Sequence, residues 1–222
     1  AFGLRKSTHT HLHQQIRWVE LKDVLIDLRT GLNPRKNFSL NTPGATGYYV
    51  TVRELGGRAV SFDEKTDRVD EEALDLIDNR SHLRAGDVLV SGTGTIGRTA
   101  FVCEKPDVWN IKEGVYAITV DSSRIMPMYL LHFFYSEKAL LQLRRFAEGG
   151  TVASVSMAKM KRLRVPLPPL EEQQRIVAIL DRFDTLVNDI SQGLPAEIAA
   201  RRKQYEYYRD RLLDFPRKEI SA

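Results

Sequence analysis

The segment with the most suggestive chemistry is Gly92-Thr-Gly-Thr-Ile-Gly97, whose glycine spacing matches that of a dinucleotide-binding loop. In such a loop a helix begins directly after the glycines, because the pyrophosphate lies on the helix N-terminus. Here the following residues, Arg98-Thr-Ala-Phe-Val-Cys103, have the pattern of a strand, and Pro106 and Gly114 interrupt the region that a crossover helix would need. The segment therefore predicts a β-hairpin with a glycine-rich turn.

The tip of this hairpin has side chains suited to a different ligand. Small hydroxyl residues and one arginine occupy it, namely Ser91, Thr93, Thr95 and Arg98. A narrow turn with hydroxyl groups and exposed backbone amides can approach a DNA backbone or enter a groove. We therefore include these four residues among the candidate DNA contacts.

Two further segments carry positive charge. In the loop after residue 28, a solvated surface and a phosphate contact are equally compatible with Arg29, Arg35 and Lys36. A second basic segment follows the flexible loop that holds Gly150 and Thr151, and it contains Lys159, Lys161, Arg162 and Arg164. A run of charges is usually a solvated surface, but lysine and arginine are also the residues that neutralise phosphates. The candidate DNA contacts from these two segments are Arg35, Lys36, Gly150, Thr151, Lys159, Lys161 and Arg162.

A strand is predicted over residues 47–53 by its aromatic and β-branched composition. Because side chains alternate between the two faces of a strand, one face would carry Tyr49, Thr51 and Arg53. The core face would carry Tyr48, Val50 and Val52. The first face offers hydroxyl groups and a guanidinium to base edges or phosphates, with a plain solvent-exposed face as the alternative.

Two other clusters of reactive side chains receive less weight. Residues 63–78 contain eight acidic side chains, which would repel phosphates and should face away from nucleic acid. Within them, Asp63-Glu64-Lys65 faintly resembles a nuclease site but has no supporting carboxylate on a neighbouring strand. Alternating histidines at 9, 11 and 13 could bind a metal ion on one strand face, but they lie in a polar segment without acidic or cysteine partners. No metal site is predicted.

The elements that hold these residues change character near residue 166. Three prolines within 166–169 predict extended chain, and the acidic pair Glu171-Glu172 suits the first turn of a following helix. We therefore predict a loose leader at 1–15, a strand-rich globular domain at 16–166 and a helical region at 167–222. The predicted class is α+β, with long C-terminal helices that form a coiled-coil arm.

The arm is predicted to mediate assembly. In the first helix, predicted from Leu170 to Ser191, apolar residues recur from 176 to 190 at a mean spacing of 3.5, the period of a coiled-coil seam. Pro195 breaks this helix, and a second is predicted from Ala196 to about Leu213. The predicted assembly positions are Ile176, Leu180, Phe183, Leu186, Ile190, Ile198, Tyr205, Tyr208 and Leu212.

Several of these segments resemble one known family. The run Pro166-Leu-Pro-Pro-Leu-Glu-Glu-Gln-Gln-Arg-Ile-Val177 and the later helix 197–210 are similar to the conserved region of specificity subunits of type I restriction-modification enzymes. Upstream, Leu83-Arg-Ala-Gly-Asp-Val-Leu-Val-Ser91 and Glu148-Gly-Gly-Thr151 resemble the target recognition domain of that family. The resemblance covers roughly residues 16 to 215, and its helical motifs are the more specific part.

The resemblance implies a sequence-specific DNA-binding subunit that directs separate methylation and restriction subunits to a bipartite target. The complete subunits of the family have two recognition domains and two helical regions, whereas this chain has one of each. A half subunit that forms an antiparallel homodimer through its helices is therefore expected. No catalytic constellation and no cofactor motif is found in the sequence, so a non-catalytic role is expected.

Composition is compatible with this interpretation and narrows the setting. The 222 residues carry a net charge of +4, which favours a polyanionic partner such as double-stranded DNA. The single cysteine excludes an internal disulfide, and no apolar run is long enough to cross a bilayer, so a cytoplasmic protein without membrane contact is expected. Two alternatives remain open: a stand-alone nucleotide-dependent enzyme that uses the glycine-rich turn, and a coiled-coil scaffold that binds no DNA.

Overall fold

The structure is a computed structural model that describes residues 16–148, 152–189 and 195–215. Its strands are β1 (Arg17–Glu20), β2 (Leu25–Thr30), β3 (Gly47–Val50), β4 (Arg68–Val69), β5 (Val88–Ser91), β6 (Thr99–Phe101), β7 (Trp109–Ile111), β8 (Val115–Val120) and β9 (Arg164–Leu167). Its α-helices are α1 (Glu71–Ser81), α2 (Pro127–Tyr135), α3 (Glu137–Phe146), α4 (Met157–Lys161), α5 (Leu170–Asp189) and α6 (Pro195–Leu212). The predicted α+β class, strand-rich before residue 166 and helical after it, is confirmed.

The central sheet has the strand order β2-β8-β5-β6, and all its pairs are antiparallel. Its middle strands are continuous apolar runs, as expected for strands that are covered on both faces. Val88 and Ile118 are directly opposite each other and pack in the same core cluster as α2, while Leu89 and Ala117 pack in a second cluster on the other face. The predicted hairpin of residues 87–103 is the β5–β6 pair of this sheet.

A smaller sheet of order β4-β3-β7 carries α1 on one face. The acidic segment supplies the start of this helix, because the Asp70 carboxylate accepts a hydrogen bond from Ala73 N at 2.9 Å. Glu71 and Glu72 occupy the first turn, where their charge suits the positive end of the helix dipole. Several residues of the acidic segment therefore have a structural role.

A buried ion pair between Arg29 of β2 and Asp87, the residue before β5, joins distant segments. The Arg29 guanidinium donates to both carboxylate oxygens of Asp87 at 2.8 Å, and to the backbone oxygens of Ser81 and His82 at the end of α1. The side chains of Arg29 and Asp87 are only 6% and 0% exposed. Arg29 is therefore a structural residue, and its suggested role as part of a basic loop is wrong.

The N-terminal half of the arm is packed on the globular part of its own chain. Helix α5 begins at Leu170, as predicted, and its Ile176 and Leu180 are fully buried in the main core cluster together with α2. Their assignment to an intermolecular seam is therefore wrong, because no surface of these side chains is left for a partner. A contact from the arm to the globular part is also made by Asp181, which bonds His132 Nε2 and Arg58 at 2.9 Å each.

The second helix folds back on the first. Phe183 of α5 stacks on Tyr208 of α6, with ring centroids 5.4 Å apart, and lies 6.5 Å from the ring of Tyr205. These predicted assembly residues thus make contacts within one chain, and Leu212 packs against the main core cluster. The side chains of Leu186, Ile190 and Ile198 lie outside the described residues. Within the described part, no helix is long and apolar enough to cross a membrane.

Candidate nucleic-acid interface

A cleft of about 810 Å³ opens between the central sheet and the β4-β3-β7 sheet. Its wall includes the loop after β2, the end of β3, the residue before β4, α1, the turn of the β5–β6 hairpin, the β7–β8 turn and the chain before α4. Its lining includes Asn33, Arg35, Tyr49, Thr51, Asp67, Arg80, Thr93, Lys112, Glu113, Tyr116, Ser154 and Ser156. Such a concave surface with polar groups from several loops is where ligand binding is expected first.

The structure brings three of the predicted DNA contacts, Arg35, Thr51 and Thr93, to the lining of this cleft, and a fourth, Tyr49, to its floor. Arg35 has a backbone φ of 34°, which is uncommon for a residue with a side chain. This conformation costs free energy and persists only where the surrounding structure holds it. Lys36 follows it on the exposed loop but does not line the cleft. The grouping of these segments was visible only after folding, because they lie between 16 and 58 residues apart in the chain.

The predicted face assignment of the strand at 47–53 is wrong for Tyr48 and Tyr49 and right for Val50, which is fully buried. Tyr49 is only 1% exposed, and its hydroxyl donates to Leu32 O at 2.8 Å, so it forms the floor of the cleft and cannot reach base edges. The strand ends at Val50, and residues 52–54 form a short 3-10 helix that Thr51 caps. Tyr48, predicted to be in the core, is partly exposed and stacks on Phe62 with centroids 4.2 Å apart.

The glycine-rich turn has a structural partner. Within the hairpin, Ser91 is fully buried, donating to Thr95 O at 2.6 Å and accepting from Arg98 N at 2.9 Å, so its predicted DNA contact is wrong. The turn pairs with the chain before α4 through Thr93 and Ser154. Gly114 has a φ of 91° and lies next to the turn. A Cβ added to it would lie 2.6 Å from Thr93 Oγ1, so a larger residue would clash there. The turn leads into β6 and starts no helix, so the dinucleotide site is absent.

The other polar residues near the turn differ in their exposure and in their contacts. Thr95 is exposed, and Arg98 is exposed with one guanidinium nitrogen 3.2 Å from Val52 O. Arg53 is half-exposed and forms an ion pair with Asp67 at 2.7 Å.

Asp67 lines the cleft, so the expectation that the whole acidic segment faces away from the basic residues is wrong. Its charge is offset locally by Arg53 and by a hydrogen bond from Asn41 at 3.0 Å.

The basic residues of α4 lie outside the cleft. Lys159 Nζ donates to Phe146 O at 3.0 Å at the end of α3 and forms an ion pair with Glu148. Lys161 and Arg162 are exposed on the following turn, and Arg164 NH2 donates to Trp18 O at 2.8 Å. The predicted contacts Gly150 and Thr151 lie outside the described residues, as do the histidines at 9, 11 and 13.

Sequence reasoning missed several charged or polar residues of the cleft, among them Asn33, Arg80, Lys112 and Glu113. Asn33 Nδ2 donates to Glu113 Oε2 at 2.8 Å, and Arg80 lies 3.7 Å from Oε1 of the same carboxylate. Lys112 lies beside them in the β7–β8 turn. The signal that could have located the turn is Gly114 between two strand-like segments, but the partners of Lys112 and Glu113 come from elements 30 to 80 residues away.

The electrostatics of the cleft combine a buried aromatic floor with a charged rim. Burial raises the pKa of the Tyr49 hydroxyl well above its usual value, and the nearby carboxylates of Glu113 and Asp67 raise it further. Burial and the same glutamate also raise the pKa of Tyr116, so both phenols stay protonated and can act as hydrogen-bond donors. Within the described residues, no group of three His, Cys, Asp or Glu side chains is placed to hold a metal ion.

Comparison with known proteins identifies the class to which this fold and cleft belong. Residues 16–200 match the family model described as the type I restriction modification DNA specificity domain. The match covers most of the chain, and the chain belongs to this family.

Individual relatives agree with that assignment. The chain is 39% identical over 135 residues to a putative type I restriction enzyme specificity subunit of Haemophilus influenzae, covering 61% of this chain and 34% of the relative. It is 45% identical over 100 residues to a type I restriction enzyme specificity subunit of Escherichia coli, covering 45% and 25%. The chain therefore spans about a quarter to a third of these curated relatives.

The fold is shared with solved structures as well. The HsdS subunit of Thermoanaerobacter tengcongensis matches with a TM-score of 0.56 at 22% identity, over 93% of this chain and 46% of that one. The type I restriction-modification S subunit of M. genitalium matches with a TM-score of 0.54 at 16% identity, over 82% and 42%. At such identities the likeness concerns the architecture alone.

Proposed function

We propose that this chain is the DNA-recognition part of a type I restriction-modification specificity subunit. It would bind double-stranded DNA in a sequence-specific manner and direct separate methylation and restriction subunits to the target, without catalysing either reaction. A DNA partner would place it in the cytoplasm. Residues 16–166 would form the recognition domain and residues 167–222 the conserved helical region.

The observation that carries this proposal is the cleft, in a chain that belongs to the specificity-domain family. Its lining holds three cations, Arg35, Arg80 and Lys112, and two carboxylates, Asp67 and Glu113. Both carboxylates have protein partners, whereas Arg35 and Lys112 have no ion pair among the described residues. The available charge is therefore positive, as a surface that binds phosphates requires.

A gel retardation assay tests this function. The wild-type chain should shift duplex DNA in the presence of random-sequence competitor, and repeated selection from a random duplex pool should yield a conserved motif. A chain that binds no duplex would support the scaffold alternative. A large thermal shift with NAD, ATP or S-adenosylmethionine would instead support an enzyme.

We further propose that two copies associate through the helical region and read a bipartite target. The exposed side of α5 forms an apolar groove of about 520 Å³ lined by Ile179, Arg182, Phe183 and Thr185. The chain matches 46% of the Thermoanaerobacter tengcongensis subunit, so two copies would equal its length. At roughly 1.5 Å per residue, α5 is about 30 Å long, close to one turn of DNA at roughly 34 Å. A dimer would thus separate two recognition domains by about one turn.

Light scattering on the wild type and on two variants tests the dimer. Ile179→Asp puts a charge into the apolar groove and should halve the mass, because association would have to desolvate the carboxylate. Ala178→Asp, at an exposed position on the same helix, is the matched control and should keep the wild-type mass. A wild type with the mass of one chain, 25.3 kDa, at micromolar concentration would contradict the dimer.

A further inference from the structure

The β7–β8 turn places two opposite charges side by side at the cleft, Lys112 and Glu113. Its backbone is held at both ends, because Lys112 N donates to Val50 O at 2.8 Å and Gly114 N donates to Thr30 Oγ1 at 3.0 Å. The side chains themselves remain exposed, that of Glu113 by 45%. The turn therefore presents both groups at fixed positions to whatever enters the cleft.

One oxygen of the Glu113 carboxylate accepts a hydrogen bond, and the other does not. Oε2 accepts a hydrogen bond from Asn33 Nδ2 at 2.8 Å, which fixes the plane of the group. Oε1 has Arg80 NH2 as its near cation at 3.7 Å, beyond hydrogen-bond distance, and accepts no other hydrogen bond from the described residues. One oxygen is thus held in place with its acceptor capacity free, as a group that reads a ligand requires.

A carboxylate in a phosphate-binding cleft is costly unless it has a specific partner. It repels the DNA backbone, and among the edges of the bases it can only accept hydrogen bonds. The exocyclic N4 amino group of cytosine in the major groove is a donor that a glutamate accepts from. The guanine O6 and thymine O4 atoms are acceptors and would be rejected by the same carboxylate, and the adenine N6 amino group lies beside N7, an acceptor that repels a carboxylate.

We propose that Glu113 is a specificity-determining residue that accepts a hydrogen bond through Oε1 from the N4 amino group of a cytosine in the target. Asn33 and Arg80 are its positioning residues, and the adjacent Lys112 neutralises a phosphate. This inference rests on the proposed DNA-recognition function and adds to it one base preference and the residue that sets it.

Selection of bound duplexes from a random pool by the full chain and two variants tests the proposal. Glu113→Gln replaces the acceptor by an amide, the group that pairs with adenine N6 and N7. The selected motif should change from cytosine to adenine at one base pair in each half-site, and affinity for the wild-type motif should fall about tenfold. Affinity for random duplex should be unchanged or slightly raised, because a negative charge has been removed.

Glu104→Gln is the matched control, since Glu104 is exposed and does not line the cleft, and it should select the wild-type motif. Glu113→Gln selecting the same motif with the same preference would overturn the inference and leave the DNA-recognition function standing. So would an equal loss of affinity for every duplex, with a changed melting temperature, because that pattern indicates a structural role. A wild-type chain that retards no duplex would overturn the proposed function itself.

Discussion

Two regions of this molecule use opposite charges in opposite ways. In the interior, Arg29 and Asp87 are sealed from water, and one guanidinium nitrogen of Arg29 donates to both carboxylate oxygens of Asp87. Around the cleft, Arg35 and Lys112 face solvent without an ion pair among the described residues. Buried pairs hold segments together because neither partner can be lost without leaving a bare charge, whereas exposed unpaired cations cost little and remain available to an anionic ligand.

The largest effect is expected on stability, when one partner of the Arg29–Asp87 ion pair is removed. Asp87→Ala should lower the free energy of unfolding by about 3 kcal/mol, because Arg29 would remain charged in a dry site with only the partly exposed Asp27 carboxylate, 3.2 Å from its Nε, as a partner. The Arg84 backbone amide, which donates to Asp87 Oδ2 at 2.9 Å, would lose its acceptor as well. Urea unfolding followed by circular dichroism measures the change.

Asp67→Ala is the control for Asp87, since Asp67 lines the cleft and is the acidic partner of the half-exposed Arg53. It should change stability by less than about 1 kcal/mol, as exposed ion pairs do. Equal losses for the two variants would show that the buried pair is not special.

Lys112→Ala tests whether an exposed cation of the cleft contacts a phosphate. It should weaken binding to all duplex sequences alike and flatten the salt dependence by about one unit of log K per log salt, since one phosphate contact is lost. Stability should change by less than about 0.5 kcal/mol, because the side chain is exposed and does not pack. Retardation assays at several salt concentrations give the slope.

Lys159→Ala is the comparison for Lys112. Its ammonium group already caps α3 and pairs with Glu148, so its removal should alter the salt slope by much less than one unit. This revises what the sequence predicts, namely that Lys159 and Lys161 each contribute a phosphate contact. A full unit lost with Lys159→Ala would restore that prediction.

The smallest expected effect concerns His132 of α2 and Asp181 of α5, which are joined by a hydrogen bond. Burial lowers the pKa of His132 below its usual 6.5, an effect that the hydrogen bond to Asp181 only partly offsets. The unfolded chain therefore takes up the proton more readily, so this contribution to stability is complete above about pH 6.5 and is lost as pH falls through the folded-state pKa. His132→Gln keeps a donor for Asp181 but cannot titrate, and it should lose less stability than the wild type between about pH 7.5 and about pH 5. Parallel urea titrations at the two pH values check this, and equal losses would contradict it.

Local elements could be predicted from the sequence because their signals are local. The glycine-rich turn predicts the β5–β6 hairpin, since the residues after it alternate as a strand and begin no helix. Helix α5 begins at the predicted Leu170, directly after the prolines, and α6 runs within one residue of its predicted limits, from Pro195 to Leu212. Proline, glycine and charge at a helix end act on the nearest residues, so no tertiary information is needed.

Only the tertiary structure decided which side of each element is covered. Alternation separates Tyr48 from Tyr49 but does not say which one faces α1, and the covering helix buried Tyr49 instead of exposing it. A spacing of 3.5 marks Ile176 and Leu180 as buried but does not name their partner, which is α2 of the same chain. Arg29 and Arg35 are equally basic in the sequence, yet Asp87, 58 residues further on, pairs with the first in the interior, and no acidic partner among the described residues meets the second. The physical reason is that burial and ion pairing depend on contacts between residues far apart in the chain, which arise only when the chain folds.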